Sequence, residues 1–172
     1  MADLGHDIYV GNGRGTEYSI GHATLDASTD QAEYWDFTFA DMADDVLAQI
    51  KAMYEDSNSG KGWYFGYSEG TTSMQVALMK YESELSNYLN RAILLAPCTA
   101  EYEDGDNPDK TRKNLDDPGV FKSIGVHVMH GPTWEDDLQN ICDNLDKKYC
   151  NWYSDYSGYE TPISTKNNDH WS

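Results

Sequence analysis

A short apolar run, Trp63-Tyr64-Phe65, ends at Gly66. Ser68 follows two residues on and Gly70 two after that, and a helix-forming stretch then begins at Thr71. This is G-x-S-x-G between a strand and a helix, the pattern of a nucleophile elbow, and no other stretch of the chain constrains its fold as much. A serine in this setting must project from a very tight turn in a strained backbone conformation. Side chains at Gly66 and Gly70 are expected to collide with the neighbouring strand and helix. The backbone N–H of Glu69 then points at the same place as the serine hydroxyl and can donate to the oxyanion of a tetrahedral intermediate. The same five letters occur in ordinary glycine-rich turns, so the flanking strand and helix carry the distinction.

Apolar periodicity orders the segments around this turn. Asp7–Val10 reads as a short buried strand, ending in Gly11-Asn12-Gly13-Arg14-Gly15. Alternating glycines after a strand suggest a dinucleotide loop, but no helix follows to offer its N-terminus to a phosphate, and a tight loop is the better reading. Phe39, Met42, Ala43, Val46, Leu47, Ile50 and Tyr54 recur at helical spacing, with Thr38 placed to cap. Asp56–Gly60 is a turn, Gly62–Phe65 the strand before the elbow, and Thr71 to about Leu89 a second helix. Its methionines read as core filling. Ala92–Ala96 forms a third strand, stopped by Pro97. The order β, α, β, α, β predicts an α/β protein with a parallel sheet covered by helices.

The second half has a different texture. Glu101–Asp117 is acidic and rich in turn formers, Phe121–Met129 reads as a short strand or helix, and Trp134–Tyr156 as short helices with aromatic anchors. No second βαβ unit is visible. His127 and His130 are at most half of a metal site, and no C-x-x-C or histidine pair completes four ligands, so no metal or cofactor is expected.

Charge and composition narrow the function classes. A net charge of -18 argues against nucleic acid or anionic membrane as a partner. With 13 tyrosines and 5 tryptophans the chain is too aromatic for a disordered acidic tail. No apolar run is long enough to span a membrane, and Met1–Asp7 lacks the basic start and apolar stretch of a signal peptide. Of the three cysteines, Cys142 and Cys150 lie eight positions apart and Cys98 stands alone. The odd count leaves at least one unpaired within the chain.

Several stretches together resemble the acid lipases of the gastric and lysosomal type. They are Ile8-Tyr9-Val10-Gly11-Asn12-Gly13-Arg14-Gly15 with Tyr18-Ser19; Tyr34-Trp35-Asp36-Phe37-Thr38-Phe39 with Met42-Ala43; Tyr64 to Thr72; and Leu94-Leu95-Ala96-Pro97. Thr161 to Asn167, followed by His170-Trp171, is similar to a late cap segment. The likeness is strongest from Met1 to Pro97. It implies a partial α/β-hydrolase fold, with residues 1–98 in the core and 99–172 in a mostly helical cap, acting on neutral lipid esters in a secreted or lysosomal-type compartment. Ser68 would be the nucleophile and Glu69 an oxyanion donor through its backbone. Cys142 and Cys150 would form a disulfide in the cap, the alternative being two reduced cysteines in an acidic loop. The aromatic cap would touch the lipid interface transiently.

The chain also departs from the family pattern. Tyr67 and Glu69 stand where the family has histidine and glutamine, and a carboxylate at Glu69 would oppose a developing oxyanion. The family's catalytic aspartate and histidine would follow Ser172, and its second oxyanion donor would precede Met1. His127, His130 and His170 all sit in cap-like sequence. A strand that lies between Asp7–Val10 and Gly62–Phe65 in the family is absent. Either these two pair directly or a gap separates them, and the chain alone is expected to be poorly stable and at most weakly active. A non-catalytic hydrolase-fold fragment that binds lipid or protein is the alternative, and a hydrolase of another ester or an amide a third reading.

Overall fold

The computed structural model describes residues 1–57, 59–97, 120–129, 134–145, 147, 149–150 and 163–164. Expectations for Cys98, Glu101–Asp117, His130, 151–156, 161–162 and 165–171 lie outside the described residues. Two compact units are present, one from Met1–Arg14 and Phe39–Ala100, the other from Gly15–Thr38 and Glu101–Ser172.

The first unit is a small parallel sheet with helices on one face. Helix α2 (Phe39–Asp56) leads into β1 (Gly62–Tyr67), then α3 (Glu69–Leu85) and β2 (Leu89–Leu95), following the short α1 (Gln31–Tyr34) of the other unit. β1 and β2 pair in parallel, from Gly62 with Leu89 to Tyr67 with Leu95. The core forms where Ala43, Val46 and Ile50 of α2 meet Met74, Ala77 and Leu85 of α3. Tyr64, Ala92 and Leu94 close it from the sheet. Positions 43, 46 and 50 share one helical stripe, so burying that stripe supplies most of what holds α2 in place.

Three expectations are corrected. Asp7–Val10 is not a strand: it has no ladder, and Ile8 and Val10 are 52% and 82% exposed. It is tied to α2 instead: the Tyr9 hydroxyl donates to Asp56 at 2.9 Å, and just beyond it Gln49 Nε2 donates to the Asn12 carbonyl at 2.9 Å. The Arg14 side chain grips Asp45, Nη2 to Oδ1 at 2.7 Å and Nε to Oδ2 at 2.9 Å. An extended segment becomes a strand only where a neighbouring edge pairs with it, and direct pairing with β1 does not occur among the described residues. Its backbone is exposed to water, so the cost of unpaired buried groups does not arise.

Second, the helix after the elbow begins at Glu69 and ends at Leu85, and β2 begins at Leu89 rather than Ala92. Third, the methionines are not all core filling. Met74 is fully buried, but Met79 is 85% exposed. At about 100° per residue, position 79 points away from the stripe that buries Met74 and Ala77.

In the second unit Trp35 is the main anchor. It is 1% exposed, and its Nε1 donates to the Ala27 carbonyl at 3.0 Å. Gly15 has φ +82°, and a Cβ there would come within 2.6 Å of the Trp35 ring, so the tight loop requires glycine at this position twice over. Farther along the chain, α4 (Val120–Ser123) precedes β3 (Val128–Met129), so the Phe121–Met129 stretch is helix and strand in turn. β3 pairs antiparallel with β4 (Ile163–Ser164), and α5 (Trp134–Asn144) follows β3 in the chain. Phe121, Val126, Ile141 and Tyr149 form a second small core. Among the described residues no helix is long and apolar enough to cross a membrane.

Candidate active site

Ser68 sits where β1 gives way to α3, with φ 49° and ψ −117°. Such a conformation costs a non-glycine residue about 1–3 kcal/mol and persists only where the surroundings enforce it. Here the enforcement comes from both sides. The Ser68 N–H donates to the Leu95 carbonyl on β2 at 3.1 Å. The Ser68 carbonyl accepts from the Thr71 N–H at 2.9 Å and from the Thr71 hydroxyl at 2.6 Å, and Thr71 is fully buried. Ser68 is the N-cap residue of α3 but gives it no side-chain capping bond. The helix N-terminus therefore presents its positive end next to the serine.

The two elbow glycines have unequal demands. A Cβ on Gly66 would lie 2.7 Å from the Gly70 carbonyl oxygen and 2.9 Å from its carbon, both backbone atoms. A Cβ on Gly70 would meet only the Tyr64 hydroxyl, at an ordinary 3.5 Å. The steric requirement expected at both positions therefore holds at Gly66 alone. The reason is that β1 runs close under the first turn of α3, while Gly70 faces a side chain. That side chain is a strut that sequence reasoning missed: the Tyr64 hydroxyl donates to the Gly70 carbonyl at 2.9 Å, tying strand to helix beneath the turn. Burial pushes the Tyr64 phenol pKa up, so it stays a donor. No sequence signal marks it beyond a tyrosine on the buried face of a strand.

Ala96 was also missed. Its φ is 50°, and with Ser68 it is one of two non-glycine residues in that region among the described residues. It closes β2 as Ser68 closes β1. Both turns thus lie at the carboxyl ends of adjacent parallel strands, the edge where open α/β sheets place ligands. Pro97 marks the end of β2 in the sequence but gives no signal for the positive φ of Ala96, since a proline pushes the residue before it toward extended geometry.

Glu69 remains solvent-accessible as a residue, while the protein atoms crowding its carboxyl disfavour the charged form and raise its pKa. Protonation removes the charge that would oppose an oxyanion beside Ser68. Tyr67 is 73% exposed, so its departure from the family histidine alters no packing. His127 is half-buried, with its pKa lowered first by that burial and next by Lys122, which pairs with Asp36 at 3.1 Å. His130 and His170 are outside the described residues. Among the described residues no three His, Cys, Asp or Glu side chains gather as a metal-binding group. Cys142 and Cys150 are joined by a disulfide.

Comparison with known proteins adds a family. No family model matches the chain, and no solved structure does. "Triacylglycerol lipase 1" of Arabidopsis thaliana is 41% identical over 172 residues, 97% of this chain and 40% of the relative. "Lysosomal acid lipase/cholesteryl ester hydrolase" of Macaca fascicularis is 30% identical over 195 residues, 100% of this chain and 48% of the relative. "Lipase member M" of Mus musculus is 38% identical over 104 residues, 59% of this chain and 24% of the relative. The chain thus spans less than half the length of these relatives, yet nearly all of it aligns with the first two. With a strained serine turn between parallel strand and helix, and with lipase similarity running along its whole length, the chain belongs to the acid-lipase family.

Proposed function

We propose that this chain carries the nucleophile of a lipase or carboxylic ester hydrolase acting on neutral lipid esters, on a partial α/β-hydrolase fold. Residues 1–98 form part of its core and 99–172 part of its cap. The observation that carries the proposal is the Ser68 backbone, held at φ 49°, ψ −117° by the Leu95 carbonyl and by Thr71. The Ser68 hydroxyl attacks the ester carbonyl carbon, and its proton passes to a histidine base. The carbonyl oxygen becomes an oxyanion, which the Glu69 N–H stabilises at the helix N-terminus. Collapse expels the alcohol and leaves an acyl-serine, which water then hydrolyses. No metal or organic cofactor takes part.

The histidine and its aspartate partner come, in this reading, from polypeptide outside these 172 residues, in the family order Ser, Asp, His. The isolated chain is then a weak catalyst at most. The names of the relatives favour a lysosomal or secreted location, and the Cys142–Cys150 disulfide suits an oxidising compartment. The cap would make only transient contact with lipid.

A fluorophosphonate probe tests this. Slow labelling that disappears in Ser68→Ala is expected. Labelling as fast as that of the full-length Arabidopsis relative would refute the missing base. No labelling even when the remainder of a lipase is supplied would favour the second reading, a non-catalytic fragment that binds lipid or protein. That reading has its own support in the exposed aromatic side chains of β1.

A further inference from the structure

Two peptide units join Tyr64 to the N–H of Glu69. The Tyr64 hydroxyl donates to the Gly70 carbonyl at 2.9 Å. That carbonyl shares its peptide with the Thr71 N–H, which donates to the Ser68 carbonyl at 2.9 Å. The Ser68 carbonyl in turn shares its peptide with the Glu69 N–H. Thr71 doubles this second link, because its hydroxyl donates to the same Ser68 carbonyl at 2.6 Å. The Tyr64 ring is seated against the other elbow glycine, with its Cε1 2.8 Å from where a Cβ on Gly66 would stand. One side chain therefore spans both glycines and heads a line of hydrogen bonds that ends at Glu69. A peptide whose carbonyl accepts a hydrogen bond is a stronger donor at its own N–H, and bonds in series strengthen one another, more so in the low dielectric around a fully buried Thr71.

We propose that Tyr64 and Thr71 are positioning residues for the oxyanion: through the Gly70–Thr71 and Ser68–Glu69 peptides they aim and polarise the Glu69 N–H. The proposal rests on the reading of Ser68 as nucleophile. Both side chains act through backbone and not on substrate. Ser73 supplies the contrast. Its hydroxyl donates to the Glu69 carbonyl at 3.3 Å, and that carbonyl shares its peptide with the Gly70 N–H, so this bond bypasses the Glu69 N–H.

The test measures fluorophosphonate labelling of Ser68 in the 172-residue chain, with a phosphonothioate of the same structure as a second probe. Removing an entire oxyanion donor costs about 10²–10³ in rate. Tyr64→Phe and Thr71→Val keep the donor and lose one hydrogen bond behind it, so each should slow labelling about three- to tenfold. The slowing should shrink with the phosphonothioate, whose sulfur is a weaker acceptor; misfolding would slow both probes alike. Thr71→Ser, which keeps the hydroxyl, and Ser73→Ala should label like the parent. The Glu69 amide nitrogen resonance should move upfield in Tyr64→Phe and Thr71→Val and stay in place in Ser73→Ala. Parent-like labelling with an unmoved Glu69 resonance would overturn the proposal, as would equal slowing with the two probes. Should Tyr64→Phe fail to fold, Thr71→Val against Thr71→Ser decides. A chain that never labels defeats the hydrolase reading, and the Glu69 resonance then decides whether the line of hydrogen bonds exists.

Discussion

At Gly66 a single hydrogen atom in place of a side chain lets β1 pass under the first turn of α3. Adding a methyl group there would drive it into the Gly70 backbone at 2.7 Å, and backbone cannot rotate away as a side-chain tip can. Gly66→Ala should therefore destabilise the chain by about 1–3 kcal/mol in denaturant titration. Gly70→Ala should cost nothing measurable, or stabilise by up to about 1 kcal/mol through helix propensity, since position 70 lies inside α3 with room for a Cβ. Equal losses at the two positions would show the steric reading to be wrong. Glu69 supplies a pH-dependent counterpart. Burial raises its folded pKa above the unfolded value, so the folded chain binds this proton more tightly. Its contribution to stability is therefore complete below the ordinary carboxyl pKa and is lost as pH rises through the folded value. Glu69→Gln should flatten that fall. It should also speed fluorophosphonate labelling near neutral pH more than in acid, where the carboxyl is already neutral. Acceleration independent of pH would point to a role other than charge.

The helices show how elements divide the work. α3 bends at Tyr81, whose φ of −134° departs from helical geometry. The bend is pinned to α2, because the Tyr81 hydroxyl donates to Asp44 at 2.5 Å and Lys80 Nζ donates to the Asp44 carboxylate at 2.7 Å and to the Ala40 carbonyl at 2.6 Å. The Lys80 and Tyr81 hydrogen bonds hold the Asp44 pKa below the usual carboxylate range. On the inner side of α3, Met74 fills the core, while Met79 stands in solvent. Met74→Ala should cost about 2–5 kcal/mol, as large-to-small core substitutions do. Met79→Ala should fall within about 0.5 kcal/mol of the parent. A chemical-denaturation comparison of the two variants checks both. Helical periodicity placed α2 almost residue for residue, because its stripe at 43, 46 and 50 is the surface it buries. The same periodicity could not separate Met74 from Met79, because α3 is apolar nearly all round in its first half, and only its packing against α2 and the sheet selects a side.

In the molecule as a whole the two units rely on different devices. The first rests on the apolar contact between α2, α3 and one sheet face, and the second on the Trp35 anchor, the Phe121–Tyr149 cluster and the Cys142–Cys150 disulfide. A disulfide closing a loop with a sequence separation of 8 is worth about 2–3 kcal/mol in the chain-entropy estimate. Reduction should therefore speed hydrogen exchange around α5 and Tyr149 and leave β1 and β2 unchanged. Acceleration of both units together would mean that they unfold as one.

The sequence alone was enough to determine the order of α2, β1, α3 and β2, the serine turn between strand and helix, and the family to which those residues belong. These are local matters: spacing sets which side of a helix is apolar, and two glycines around a serine are legible without coordinates. Tertiary structure decided what depends on a neighbour. It left Asp7–Val10 outside any ladder, because a strand exists only against another strand. It assigned the steric burden of the elbow to Gly66, because only there does backbone pass close by. It revealed Tyr64 as the strut under the turn, and it exposed an apolar sheet face that periodicity reads as interior.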